Sequence, residues 1–171
     1  MANFAFIDGQ NLHITIKKMG WEIDYKKFRI YLQNKYNVNK AFYFIGFKKE
    51  NILMYKNLER KGFSVIFKES TLLPDGTAKG NCDAELVLHA ISQINRYDKA
   101  IIIAGDGDYA SLIKYLLRKN KLEMILVPDI NSYSFLIKKA TKNQFSALVA
   151  GVNNLEMKIK FQKALKKKNA P

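Results

Sequence analysis

"KAIIIAGDGDYASLIKYLLRKN", residues 99 to 120, runs from a nearly all-apolar stretch into two aspartates one residue apart and then into helical periodicity. A strand with apolar residues at successive positions is buried on both faces, as the middle strand of a parallel sheet is. The helix after it must then carry the chain back across the sheet, because parallel neighbours need a crossover connection. The fold therefore reads as α/β, and Asp106 and Asp108 fall at the carboxyl end of a central strand.

The same alternation extends in both directions. Upstream, "NFAFI" (3–7), "KAFYFIGF" (40–47) and "FSVIFKE" (63–69) have strand composition. Between them lie "HITIKKMG", "YKKFRIYLQNKY" behind the capping residue Asp24, and "KENILMYKNLERKG", which read as helices, the first and last closed by glycine. "STLLPDGTAKGN" (70–81) is a loop with a Pro-Asp-Gly turn signal, and "CDAELVLHAISQINRY" resumes helical spacing through Ala84, Val87, Leu88, Ile91 and Ile94. Downstream, "LEMILVP" (122–128) is a fifth strand and "SYSFLIKKA" a short helix. "FSALVA" fits either element, and "NNLEMKIKFQKALKKKNAP" reads as a lysine-loaded helix that frays. Five strand-then-helix units imply a doubly wound parallel sheet with helices on both faces, whose ligands sit beyond the carboxyl ends of the strands where strand order reverses.

The chain has 171 residues, 48% hydrophobic and 26% charged, which suits a single domain with a sizeable core. The expected division is a folded domain over 1–151 and a basic C-terminal helix or tail over 152–171. Lys and Arg outnumber the acids 29 to 15, a formal charge of +14, and such an excess points to a polyanionic partner, with anionic membrane surfaces or plain solubility as alternatives. One cysteine excludes an internal disulfide framework, and two histidines leave no Cys/His set of zinc spacing. No apolar run approaches the roughly 20 residues of a membrane span, and the start has no signal-peptide pattern. A cytoplasmic protein is expected, and association into a homo-oligomer is compatible with this reading.

Asp8 in "FIDGQNL", Asp83 in "KGNCDAEL", and Asp106 with Asp108 in "AGDGDYASL" form the candidate acidic set. Singly, each could cap the helix that follows it. Brought together, two carboxylates about 4 Å apart repel by roughly 4 kcal/mol at an effective dielectric of 20, more than a helix terminus offsets. A lysine, a shared proton or a divalent cation must supply the rest, and an acidic set without Cys or a local His group suits Mg²⁺ or Mn²⁺. Asn11 could bind phosphate, orient a carboxylate, or complete the helix start. Tyr109 and Tyr133 are candidates for stacking on bases, with packing as the alternative for Tyr109.

"FIDGQNL", "KGNCDAELVLHA" and "AGDGDYASL", in that order, resemble the three acidic motifs of the NYN-domain family, the LabA-like branch of the PIN-like nuclease superfamily, over nearly the whole chain. The resemblance implies a PIN-like three-layer α/β/α fold with a central parallel sheet of strand order 3-2-1-4-5. It also implies a metal-dependent ribonuclease site, with Asp8, Asp83, Asp106 and Asp108 as catalytic and Mg²⁺- or Mn²⁺-holding acids. RNA, single-stranded or structured, is the implied partner, with Asn11, Lys79 and Ser111 as substrate-binding candidates; the chain's positive charge adds Lys79, Lys138, Lys139 and the lysines at 158 to 168 as guides for the phosphate backbone, with plain surface charge as the alternative for each. His89 stands where many relatives carry a further acid, six residues after Asp83, and either binds substrate or packs. A non-catalytic RNA-binding or regulatory protein of the same family is the rival reading. Phosphatases of the haloacid-dehalogenase type need a second acid where Gln10 stands, and neither GxxxxGK nor GxGxxG occurs.

Overall fold

The computed structural model describes residues 1–67, 82–141 and 148–161. The strands are β1 Asn3–Asp8, β2 Val38–Ile45, β3 Ser64–Phe67, β4 Ala100–Ile103, β5 Leu122–Val127 and β6 Val149–Gly151. All pair in parallel, in the order β3-β2-β1-β4-β5-β6. The expected five-strand order is present, with a sixth strand added at the β5 edge. That strand takes the last two residues of "FSALVA" and Gly151, too short to show a two-residue period against a helical one.

Helices α1 Gly9–Lys18, α2 Tyr25–Tyr36 and α3 Ile52–Arg60 cover one face of the sheet; α4 Asp83–Ser92, α5 Ala110–Arg118 and α6 Phe135–Ala140 cover the other. The division follows from alternation within β1. Phe4 and Phe6 pack with Leu86, Ala90, Leu112 and Ile113, while Ala5 and Ile7 pack with Leu12, Ile16, Phe28 and Leu32. Every residue of β1 and β4 is buried, as central strands require, whereas the four residues of β3 are all exposed or half-buried.

Two expectations from the sequence give way to the structure. The apolar stripe assigned to α4 is rotated. Leu86 and Ala90 are fully buried, Val87 and Ile94 pack partly, and Leu88 is 69% exposed. Leu88 lies two residues from both Leu86 and Ala90, about 200° around the helix. Burial instead follows the side that also carries Asp83. The second correction concerns residues 153–161, which are not a continuous helix. After a 3-10 turn at Asn153–Leu155, α7 (Glu156–Ile159) makes a single turn, and the chain then extends. The Asp24 N–H donates to the Ile159 carbonyl at 2.7 Å and the Phe161 N–H to that of Glu22 at 2.8 Å. Ile159 is buried against the α1–α2 side. Its burial overrides the helical preference of the lysines around it. Among the described residues no helix is long and apolar enough to cross a membrane.

Candidate metal centre at the switch point

β1 and β4 are neighbours, and the chain leaves β1 toward one face of the sheet while α5, which follows β4, covers the other. A crevice opens between their carboxyl ends. Asp8 closes β1 and caps α1, its Oδ1 accepting the Asn11 N–H at 2.9 Å. Capping and site membership thus coexist in one carboxylate, because the cap uses only one of its oxygens. The Asn11 side chain spans the crevice, its Oδ1 accepting the Gly105 N–H at 3.0 Å.

Gly9 has no alternative. A Cβ there would lie 2.1 Å from the ring of Tyr43, whose hydroxyl donates to the Gly9 carbonyl at 3.2 Å. On the other side of the crevice, Asp106 caps a 3-10 turn (Gly107–Tyr109) by accepting the Asp108 N–H at 3.2 Å. Gly107 lets this turn press against α6, since a Cβ would lie 2.5 Å from Ser134 Oγ.

The first residue of α4, Asp83, meets these groups from a third direction. One carboxylate oxygen each from Asp83, Asp106 and Asp108 lie within 4.8 Å of one another, with Asp83 half-buried and the other two exposed. Behind them Tyr109 is fully buried, and its hydroxyl lies 3.1 Å from Asp8 Oδ2 and in hydrogen-bond contact with Asp83 Oδ1. A phenol has one hydrogen and donates to one of these oxygens at a time. Burial, the largest cause, raises the Asp8 carboxyl above its ordinary value of 3.8. The bonds from Asn11 and Tyr109 oppose that rise, and the charges of Asp83 and Asp106 add to it. Burial and the charge of Asp8 push the Tyr109 hydroxyl far up, so it stays a protonated donor at neutral pH.

A polar cavity of about 490 Å³ opens here, lined by Asp8, Gln10, Asn11, Ile14, Thr15, Lys18, Cys82, Asp83 and Asp106. One wall is a single face of α1, because residues 11, 14, 15 and 18 recur at helical spacing. A smaller cavity of about 300 Å³ beside Trp21 and Tyr25 contains no acidic cluster. Oxygen donors converging from Asp83, Asp106 and Asp108 fit a hard divalent cation such as Mg²⁺ or Mn²⁺, which takes carboxylate and water oxygens.

The structure brings all four acids and Asn11 to this crevice. Ser111 lies exposed in the first turn of α5 and is not among the cavity-lining residues, and Lys79 falls outside the described residues. His89 sits against the rings of Phe42 at 4.5 Å and Phe44 at 5.6 Å, away from the cavity lining. Burial lowers its pKa, and its Nε2 has no hydrogen-bond partner among the described residues. This is the packed alternative of the two read from sequence. Tyr109 cannot stack on a base, being buried. Sequence reasoning misses its hydroxyl role, since the only signal is a tyrosine directly after Asp108. It also misses Lys18, although the spacing from Asn11 and Thr15 on α1 is there to be read.

An all-parallel three-layer α/β fold with acids gathered at the β1/β4 crevice is an arrangement compatible with a PIN-like domain. The NYN domain family model matches residues 4–151, and the chain belongs to that family. It is 25% identical to the low amplitude and bright protein LabA of Synechococcus elongatus over 146 residues, covering 80% of this chain and 78% of that one. It superposes with a TM-score of 0.73 on the crystal structure of a protein of unknown function from Vibrio parahaemolyticus. That match is at 22% identity and covers 94% of this chain and 96% of the other, a likeness of fold.

Proposed function

We propose that this protein is a metal-dependent endoribonuclease-type hydrolase that cleaves RNA phosphodiester bonds in the β1/β4 crevice with Mg²⁺ or Mn²⁺. The observation that carries the reading is the convergence of Asp83, Asp106 and Asp108 oxygens beside a polar cavity whose lining includes Asp83, Asp106 and Lys18. Convergence of three carboxylates is costly without a cation, and a net charge of +14 favours a polyanionic substrate.

Asp83, Asp106 and Asp108 would hold the ion, and Asp8 would stand behind them, joined to Asp83 through Tyr109. A divalent ion held there would lower the pKa of a water and offset charge developing on the phosphoryl oxygens. The protein's own groups do the remaining work. Asn11 keeps the two sides of the crevice at a fixed separation, Lys18 attracts the phosphate backbone along α1, and Lys138 and Lys139, both exposed on α6, extend the basic surface. Ser111 and Lys79 are proposed as outer contacts to the RNA, and the protein would act in the cytoplasm.

The test is cleavage of linear and circular RNA by the purified protein with Mg²⁺ or Mn²⁺, beside an Asp106→Asn variant and a chelator control. Cleavage of the circle that disappears in both controls is expected. Binding of RNA without cleavage under any of these conditions would replace this reading with that of an RNA-binding or regulatory NYN-domain protein.

A further inference from the structure

The Tyr109 side chain is 0% exposed, so its ring is core, yet its one polar atom lies between two carboxylates. A buried hydroxyl needs one partner, and this one touches oxygens from two elements, the end of β1 and the start of α4. Phenylalanine would fill the same volume without that link. The residue also belongs to the 3-10 turn that carries Asp106 and Asp108, so a single rigid ring relates all four acids.

We infer that Tyr109 is a positioning residue of the acidic centre: its hydroxyl fixes the carboxylates of Asp8 and Asp83 and thereby sets the affinity of the centre for a divalent cation. This inference rests on the proposed metal-dependent reading of the site. Hydrogen bonds to ligating carboxylates orient them before the ion arrives, and loss of such an outer partner typically weakens metal binding about 10- to 100-fold. Here the loss also leaves Asp8 and Asp83 facing each other without the hydroxyl between them. Asp83 is then held less strictly in the position from which it meets Asp106 and Asp108.

Mn²⁺ binding to the full chain, followed by the loss of the free-ion paramagnetic resonance signal and without RNA, tests this. Tyr109→Phe should bind Mn²⁺ about 10-fold more weakly, measured well below its melting temperature. p-Aminophenylalanine at position 109, which restores a donor at the same point, should return affinity to within about 3-fold of the unaltered protein. In cleavage assays Tyr109→Phe should need more Mn²⁺ for half-maximal rate yet approach the normal rate at saturation. A role confined to packing would lower the melting temperature and leave Mn²⁺ affinity within about 2-fold, which would overturn the inference. If Tyr109→Phe does not fold, p-methylphenylalanine at position 109, which fills the volume without a donor, is compared with the amino variant: weaker Mn²⁺ binding in the methyl variant alone supports the clamp, and equal affinity in the two overturns it. Because binding is read without RNA, a Tyr109-dependent Mn²⁺ site in a protein that cleaves nothing sinks the nuclease reading alone. Cleavage with Mn²⁺ affinity indifferent to Tyr109→Phe sinks the clamp alone.

Discussion

Asn11 Oδ1 accepts the backbone N–H of Gly105 at 3.0 Å, tying the first turn of α1 to the residue before Asp106. The bond crosses the crevice between strands whose chains depart to opposite faces, so it holds the two halves of the acidic site in register. Asn11→Ala leaves a half-buried N–H without its acceptor, which costs about 1–3 kcal/mol. Lower stability in urea unfolding and a reduced cleavage rate should appear together. A raised KM with unchanged stability would assign Asn11 to substrate contact instead.

Asp8→Asn should abolish cleavage without weakening the metal-free fold. The amide still accepts from Asn11 and removes a buried charge that Asp83 and Asp106 disfavour. The folded Asp8 carboxyl titrates above 3.8, so between that value and its raised folded value the native state holds more protons than the unfolded one. Stability contributed by this group therefore falls as pH rises through that window and returns on acidification. Melting curves in chelator from acid to neutral pH should show Asp8→Asn flatter than the original protein and at least as stable at neutrality.

Mn²⁺ at about 100 times its dissociation constant should stabilise the protein by about 2.7 kcal/mol, since it binds only the folded state. For a domain of this size that is roughly 5–10 °C in melting temperature. An Asp83→Asn, Asp106→Asn double variant should show no such rise. An equal rise in the double variant would place the bound ion elsewhere.

Gly9→Ala should destabilise by about 1–3 kcal/mol, because the new methyl collides with the Tyr43 ring at 2.1 Å and that ring is itself fully buried. Gly46→Ala is the control. A Cβ there meets nothing within 4 Å, and its effect should stay within about 0.5 kcal/mol. Chemical denaturation of both variants checks the pair.

Ile159 is 1% exposed, so truncations of the lysine-rich terminus must begin after it. Deleting residues 162–171 should preserve the melting temperature, weaken RNA binding and flatten its salt dependence. On single strands the log–log slope should shrink by about 0.7 for each phosphate that a lysine no longer neutralises. Deleting from residue 158 should also destabilise the fold by about 2–5 kcal/mol, the usual cost of removing a buried isoleucine side chain. An unchanged salt slope in the shorter deletion would mark the lysines as solvated surface.

The sequence by itself determined the parallel sheet and the five principal strands, while the adjacency of β1 and β4 that brings Asp8 to Asp106 was implied only by the resemblance of its acidic motifs to the NYN-domain family. The sheet and its strands follow from local rules. Continuous apolar runs such as "AIII" mark central strands, and the carboxyl ends of such strands share one edge of the sheet whatever else the chain does. Tertiary structure alone decided the rest. The face of α4 depended on the angle at which a helix of apolar character nearly all round meets the sheet, so Leu86 and Ala90 are buried and Leu88 is exposed. β6 exists because the edge of β5 offers unpaired backbone groups, not because three residues prefer to be extended. The terminal turn is pinned by backbone bonds to Glu22 and Asp24, at the far end of the sequence. The hydroxyl of Tyr109 gained its place between Asp8 and Asp83 only when three elements packed around it. A buried polar atom must find partners, and which partners are in reach is a property of the packed chain rather than of any segment of it.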